Sequence, residues 1–81
     1  MTRDDLFTLG AVTWRRQWIG DNAGRYEWTS DDARLVVWRE GRNYSATLDG
    51  YPSTKTWPTL VAAMAEAQRS RDAYDRKRQA G

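Results

Sequence analysis

The chain offers few side chains for chemistry. Histidine and cysteine are both absent, which removes the usual general base near neutral pH, the thiol nucleophile and the soft metal ligands. What remains are eleven carboxylates and thirteen bases. Asp21 and Asp31-Asp32 fall among turn residues, where Asp is favoured for backbone reasons alone, and they lack the spacing of a calcium loop. Gly20, Gly24, Gly41 and Gly50 are scattered across turns instead of forming a phosphate-cradling run. Glu27 is the one carboxylate that strand alternation sets among exposed sheet residues, and an ion pair with Arg25 or Arg34 is its expected role. These residue types point to binding rather than catalysis, so no enzyme activity, no cofactor and no metal site is expected.

The bases are mostly arginine, eleven of thirteen, which suits planar hydrogen-bonding contacts, although a GC-rich coding sequence gives the same bias. A net charge of +2 neither demands nor excludes a nucleic-acid partner. With 81 residues the chain has room for one domain, 1–81, near the lower limit at which a single core suffices. No apolar run is long enough to cross a bilayer, so no membrane partner is expected. MTRDDLF is too acidic for a signal peptide. With cysteine absent, a cytoplasmic setting is the expectation.

Positioning these groups requires a sheet and a helix. Turn residues recur at Gly20 to Gly24, Ser30-Asp31-Asp32 and Glu40-Gly41, which predicts strands over residues 12–19, 25–29, 34–39 and 43–48, preceded by a lead over 1–11. Pro58 opens a predicted helix over 58–79. In it Leu60, Ala63, Met64, Ala67, Arg71 and Tyr74 recur at spacings of three or four. The fold class is therefore α+β: a four-stranded antiparallel β-meander with one C-terminal helix packed on one face.

Two-residue loops at Asp31-Asp32 and Glu40-Gly41 pair Trp28 with Leu35, Tyr26 with Val37, Val37 with Tyr44 and Leu35 with Ala46. One face then collects Val12, Trp14, Trp18, Tyr26, Trp28, Leu35, Val37, Tyr44, Ala46 and Leu48 as the core, under Leu60, Met64 and Ala67. The other face carries Arg15, Ile19, Arg25, Glu27, Arg34, Val36 and Trp38, and the single helix is already committed. Trp38 and Val36, framed by Arg25 and Arg34, form the expected exposed patch, of the Trp and Arg composition favoured at binding hot spots. A plainer role for Trp38 is to lie beneath the Arg25 guanidinium as a cation–π pair.

Two partners suit such a face. The segment NYSATLDGYPSTKTWPTLVAAMAEA, with its Tyr-x-Ala strand, the aromatic Trp57 before the helix and an Ala-rich helix start, resembles the end of the sheet-plus-helix arm-binding domains of tyrosine integrases and of the plant ethylene-response DNA-binding domain. That likeness implies a sheet entering the DNA major groove, with Arg15, Arg25 or Arg34 addressing base edges. A compact cysteine-free chain with a Trp and Arg patch also resembles the small inhibitors, anti-CRISPR proteins among them, that phages and mobile elements direct at host machinery. That second likeness implies a host protein or nucleoprotein complex as partner. Val36, Ile19 and Trp38 suit a dry protein interface better than a phosphate backbone. The basic run at Arg69, Arg71, Arg76, Lys77 and Arg78 complements the helix dipole and pairs locally with Asp72 and Asp75. The outer strands, 12–19 and 43–48, are edges open to pairing between subunits, so a monomer and an edge-strand dimer are both compatible.

Overall fold

The computed structural model describes residues 6–20 and 24–80. A six-stranded antiparallel sheet in sequential order, β1 (Leu6–Leu9), β2 (Val12–Ile19), β3 (Arg25–Ser30), β4 (Leu35–Glu40), β5 (Asn43–Leu48) and β6 (Tyr51–Pro52), precedes a single helix, α1 (Leu60–Ala80). The α+β class, the meander and the C-terminal helix agree with the sequence patterning. The strand count does not: six are present where four are predicted. Both extra strands are short and lie at the edges. The first arises because Gly10, at φ 62°, opens a two-residue Gly-Ala turn that folds residues of the supposed lead back onto β2, Leu9 opposite Val12. The other arises at Asp49-Gly50, where both residues adopt positive φ and return Tyr51 to face Leu48, the behaviour of a primed hairpin turn. Among the described residues no helix is long and apolar enough to cross a membrane.

The inner hairpins differ from the expected register by two residues. Val37 lies opposite Ala46 and Leu35 opposite Leu48, with Glu40 paired to Asn43. The turn is thus Gly41-Arg42, with Gly41 taking the positive φ that the first position of a type II′ turn demands. Trp28 likewise faces Val37 and not Leu35. That loop is longer than two residues because Ser30 and Asp32 organise it. Ala33 N–H donates to the Ser30 carbonyl at 2.9 Å; the Ser30 hydroxyl accepts from Leu35 N–H and donates to Asp32. Ala33 is forced to φ 64°. Since side chains alternate with a period of two, a slip of two leaves the paired strand residues on their predicted faces.

The helix starts later than the proline implies. Thr59 is its N-cap, its hydroxyl accepting Ala62 N–H at 3.1 Å, and Pro58 sits just outside. Buried Ala63, Met64 and Ala67 meet Val12, Trp14, Leu35, Val37 and Ala46, and the two small alanines let the helix approach the sheet closely. Fully buried Leu35, Val37, Met64 and Trp14 each contribute roughly 1.5 to 3 kcal/mol by leaving water. Trp14 brings a donor into this core. Gln68 of α1 satisfies it, accepting the indole N–H at 2.8 Å, while its own amide donates to the Leu9 carbonyl at 3.2 Å. One side chain therefore ties α1 to both β1 and β2.

Two substitutions test these assignments with opposite signs. Gln68→Leu keeps the volume but leaves the buried indole N–H without an acceptor, and is expected to cost about 1 to 3 kcal/mol in urea unfolding. Ala33→Gly removes a left-handed residue's steric penalty and is expected to raise stability by about 1 kcal/mol in the same assay.

Candidate functional site

The sheet face away from the helix carries the residues singled out from the sequence, with one exception. Arg15 is exposed; Ile19, Arg25, Glu27, Val36 and Trp38 are half-buried. Glu27 lies directly opposite Trp38. From the neighbouring position on β3, Arg25 reaches across both, its guanidinium 4.9 Å from the Trp38 ring centre and 3.0 Å from the Glu27 carboxylate. The plainer role for Trp38, a ring beneath a guanidinium, is the one observed. Its indole N–H is sealed from solvent and has no acceptor among the described residues. The centre of this face is a preorganised Arg–Trp–Glu stack and not a bare aromatic patch.

Arg34 is the exception. It precedes β4 in the turn and does not frame Trp38. Its guanidinium forks onto two carboxylates, Asp49 at 3.0 and 3.1 Å and Asp75 of α1 at 2.9 and 3.0 Å. Bidentate pairing of this kind is specific to arginine. Arg71 extends the same cluster to Asp32 at 2.9 Å. Asp75 and Arg71, expected to pair within the helix, thus fasten it to the turns of the sheet. The Arg34 fork holds the Asp75 carboxyl below its ordinary value, and Asp75 and then Asp49 raise Arg34 above its own. At Asp32, burial pushes the carboxyl up, but the Ser30 hydroxyl, the Arg34 backbone N–H and Arg71 outweigh it, leaving the value lowered.

The exposed aromatics lie elsewhere. Trp18 and Tyr26, both assigned to the core from the sequence, are 56% and 42% exposed. They do face the helix side, paired across β2 and β3, yet they stand beyond the reach of α1, which packs on β4 and β5. Their rings meet edge to face, 4.9 Å between centroids, and the Arg16 guanidinium lies 4.5 Å from the Tyr26 ring centre. Arg16 was the available sign. It alternates onto the same face between Trp14 and Trp18, opposite Trp28, and a charged residue there marks where the buried row ends.

No family model, curated protein or solved structure matches the chain. Its chemistry must be read from its own geometry. Among the described residues no group of three or more His, Cys, Asp or Glu is placed to hold a metal ion. The two surfaces just described meet at one end of the β2–β3 hairpin. Trp18 and Tyr26 occupy one side and Ile19 and Arg25, the next pair in register, occupy the other.

The Arg34 cluster makes stability depend on acid. Carboxyls held below the ordinary 3.8 in the folded chain stabilise it fully above that value, and the contribution is lost as pH falls through the lower folded values. The melting temperature is expected to decline as pH drops below about 4. Asp75→Asn is expected to lower it at pH 7 and to make the acid decline shallower, which thermal melts across pH 2 to 7 would check.

Proposed function

We propose that this chain is a non-enzymatic protein-binding module, an inhibitor of the kind phages and mobile elements direct at host nucleic-acid-handling complexes. It docks through the Trp18–Tyr26 end of the β2–β3 hairpin and the adjoining sheet face. The observation that carries this reading is the exposed, edge-to-face Trp18–Tyr26 pair. Two large rings held in fixed geometry present apolar area at little entropic cost, and Trp, Tyr and Arg are the residues enriched at interface hot spots. On the other side of the same hairpin end, Ile19, Arg25 and Trp38 supply a half-buried apolar surface under a cation. Arg15, Glu27 and Val36 continue that surface along the sheet.

The sheet-type DNA-binding reading requires arginines free to reach base edges. Arg34 is committed to Asp49 and Asp75, and Arg25 to Glu27 and the Trp38 ring. Those commitments favour a protein partner. Apolar burial also predicts an interface that salt weakens little, whereas a phosphate surface loses affinity steeply between 50 and 200 mM salt.

The test compares single alanine variants in binding to a partner recovered by pull-down, with folding checked by circular dichroism. Trp18→Ala is expected to leave the melt nearly unchanged and to weaken binding by about 2 kcal/mol or more, roughly thirtyfold. Trp38→Ala, which removes the ring supporting Arg25, is expected to weaken binding and also to lower stability. Arg34→Ala is expected to destabilise the fold without a separate binding defect. A folded Trp18→Ala variant that binds like the parent would remove the hairpin end from the interface, and salt-sensitive binding to a mixed DNA duplex would favour nucleic acid instead.

A further inference from the structure

On the helix side of the sheet, away from the Trp18 corner, β5, β6 and α1 border an open groove of about 710 Å³. Its inner wall is apolar, with Ala46, Leu48 and Ala67, and Tyr51, Trp57 and Tyr74 stand around it. Tyr51 is 78% exposed, an unusual cost for a large ring in a chain with so little core. Three charged residues border the groove, and two are neutralised: Asp49 by Arg34 at 3.0 Å and Glu66 by Arg69 at 3.1 Å. Lys55 is the third. It makes no ion pair among the described residues.

The backbone places Lys55 there by an irregularity. Ser53 N–H donates to the Ala46 carbonyl, and Trp57 exchanges both hydrogen bonds with Tyr44. Between those pairings residues 54–56 stand opposite Ser45 alone, three residues against one. Such a bulge re-aims side chains, and bulges recur beside binding sites. Here both ends are pinned to β5, so the loop carrying Lys55 is held at the groove instead of trailing into solvent.

We propose that this groove binds a small amphipathic anion, an apolar ring-bearing body with one carboxylate or sulfonate. The volume lies within the range of about 300 to 1,000 Å³ typical of small-molecule sites, the three aromatic residues suit edge and face contacts with a ring, and the uncompensated lysine selects the charge. Nothing in this site overlaps the hairpin end, so it is independent of the protein-docking surface.

Two probes test it on the full chain: anilinonaphthalene sulfonate, which has the ring body and the anion, and N-phenyl-1-naphthylamine, which has the body alone. Both are expected to bind the folded chain saturably, the sulfonate more tightly. Ser70→Phe, which fills the groove from an exposed helix position, is expected to abolish binding of both with the cooperative melt retained. Lys55→Gln is expected to weaken the sulfonate roughly three- to fivefold, the scale of a partly exposed ion pair, and to leave the neutral probe unchanged. Absence of saturable binding to the parent, binding that survives Ser70→Phe, or a Lys55→Gln variant that treats both probes alike overturns the proposal. If Ser70→Phe does not fold, Tyr51→Ala replaces it, and undiminished affinity for both probes there overturns the proposal equally.

Discussion

A helix about 10 Å across has to cover one face of a sheet that six strands at about 4.8 Å spacing make roughly 24 Å wide. It cannot do so, and most features of the molecule follow from where it lies. The helix starts beside Tyr44, where Trp57 is paired to β5, and runs toward the turns before β4 and after β5, where Arg71 and Asp75 find their partners. Among the described residues Trp14 is the only large ring fully buried under it, and Gln68 fixes the helix over that ring through its indole N–H. The uncovered margins are the Trp18 and Tyr26 corner on one side and the groove beside β6 on the other. Exposed aromatic area at both is a geometric consequence of one helix on a wide sheet.

The two ends of the helix are held by different physics. At its start, backbone pairing of Trp57 with Tyr44 and the Thr59 cap set the direction of entry. Toward its end, the restraint is charge: Arg34 bridges Asp49 and Asp75, and Arg71 meets Asp32. Each pair is partly solvated, so its contribution is screened by salt and modest by itself. Their geometry matters more. A guanidinium that grips two carboxylates bidentately fixes the relative positions of two turns and a helix, which a point charge on a flexible stem cannot do.

Much of the fold was legible in the residues, because period-two alternation from Val12 to Leu48 and three-four spacing from Leu60 to Met64 and Ala67 state which faces are apolar. The face assignment survives two misplaced turns since each changes the pairing register by two residues. The edge strands are too short to show in the pattern, although Gly10-Ala11 and Asp49-Gly50 both carry hairpin chemistry. The site was less legible. Alternation says which side of the sheet a residue occupies but not whether anything covers it there; it sets Trp18 and Tyr26 on the helix face without showing that they lie beyond the helix and stay exposed. The role of Arg34 is hidden for another reason: its partners, Asp49 and Asp75, lie 15 and 41 residues away, and nothing local announces them.

The two edges of the sheet are chemically unequal. β6 is two residues long and one of them is Pro52, which has no N–H to offer, so that border is closed to further pairing. Along β1, the residues Leu6 to Leu9 include neither proline nor charge, and Leu6 and Phe7 are exposed, so shortness is the one usual protection of an edge present among the described residues. Among the described residues, strand addition is therefore open along β1 and blocked along β6. A sheet with a single pairable border that joins a second copy through that border uses up the only one each has. Association of this kind ends at two, and a growing fibril, which needs a free border at every step, has no way to extend.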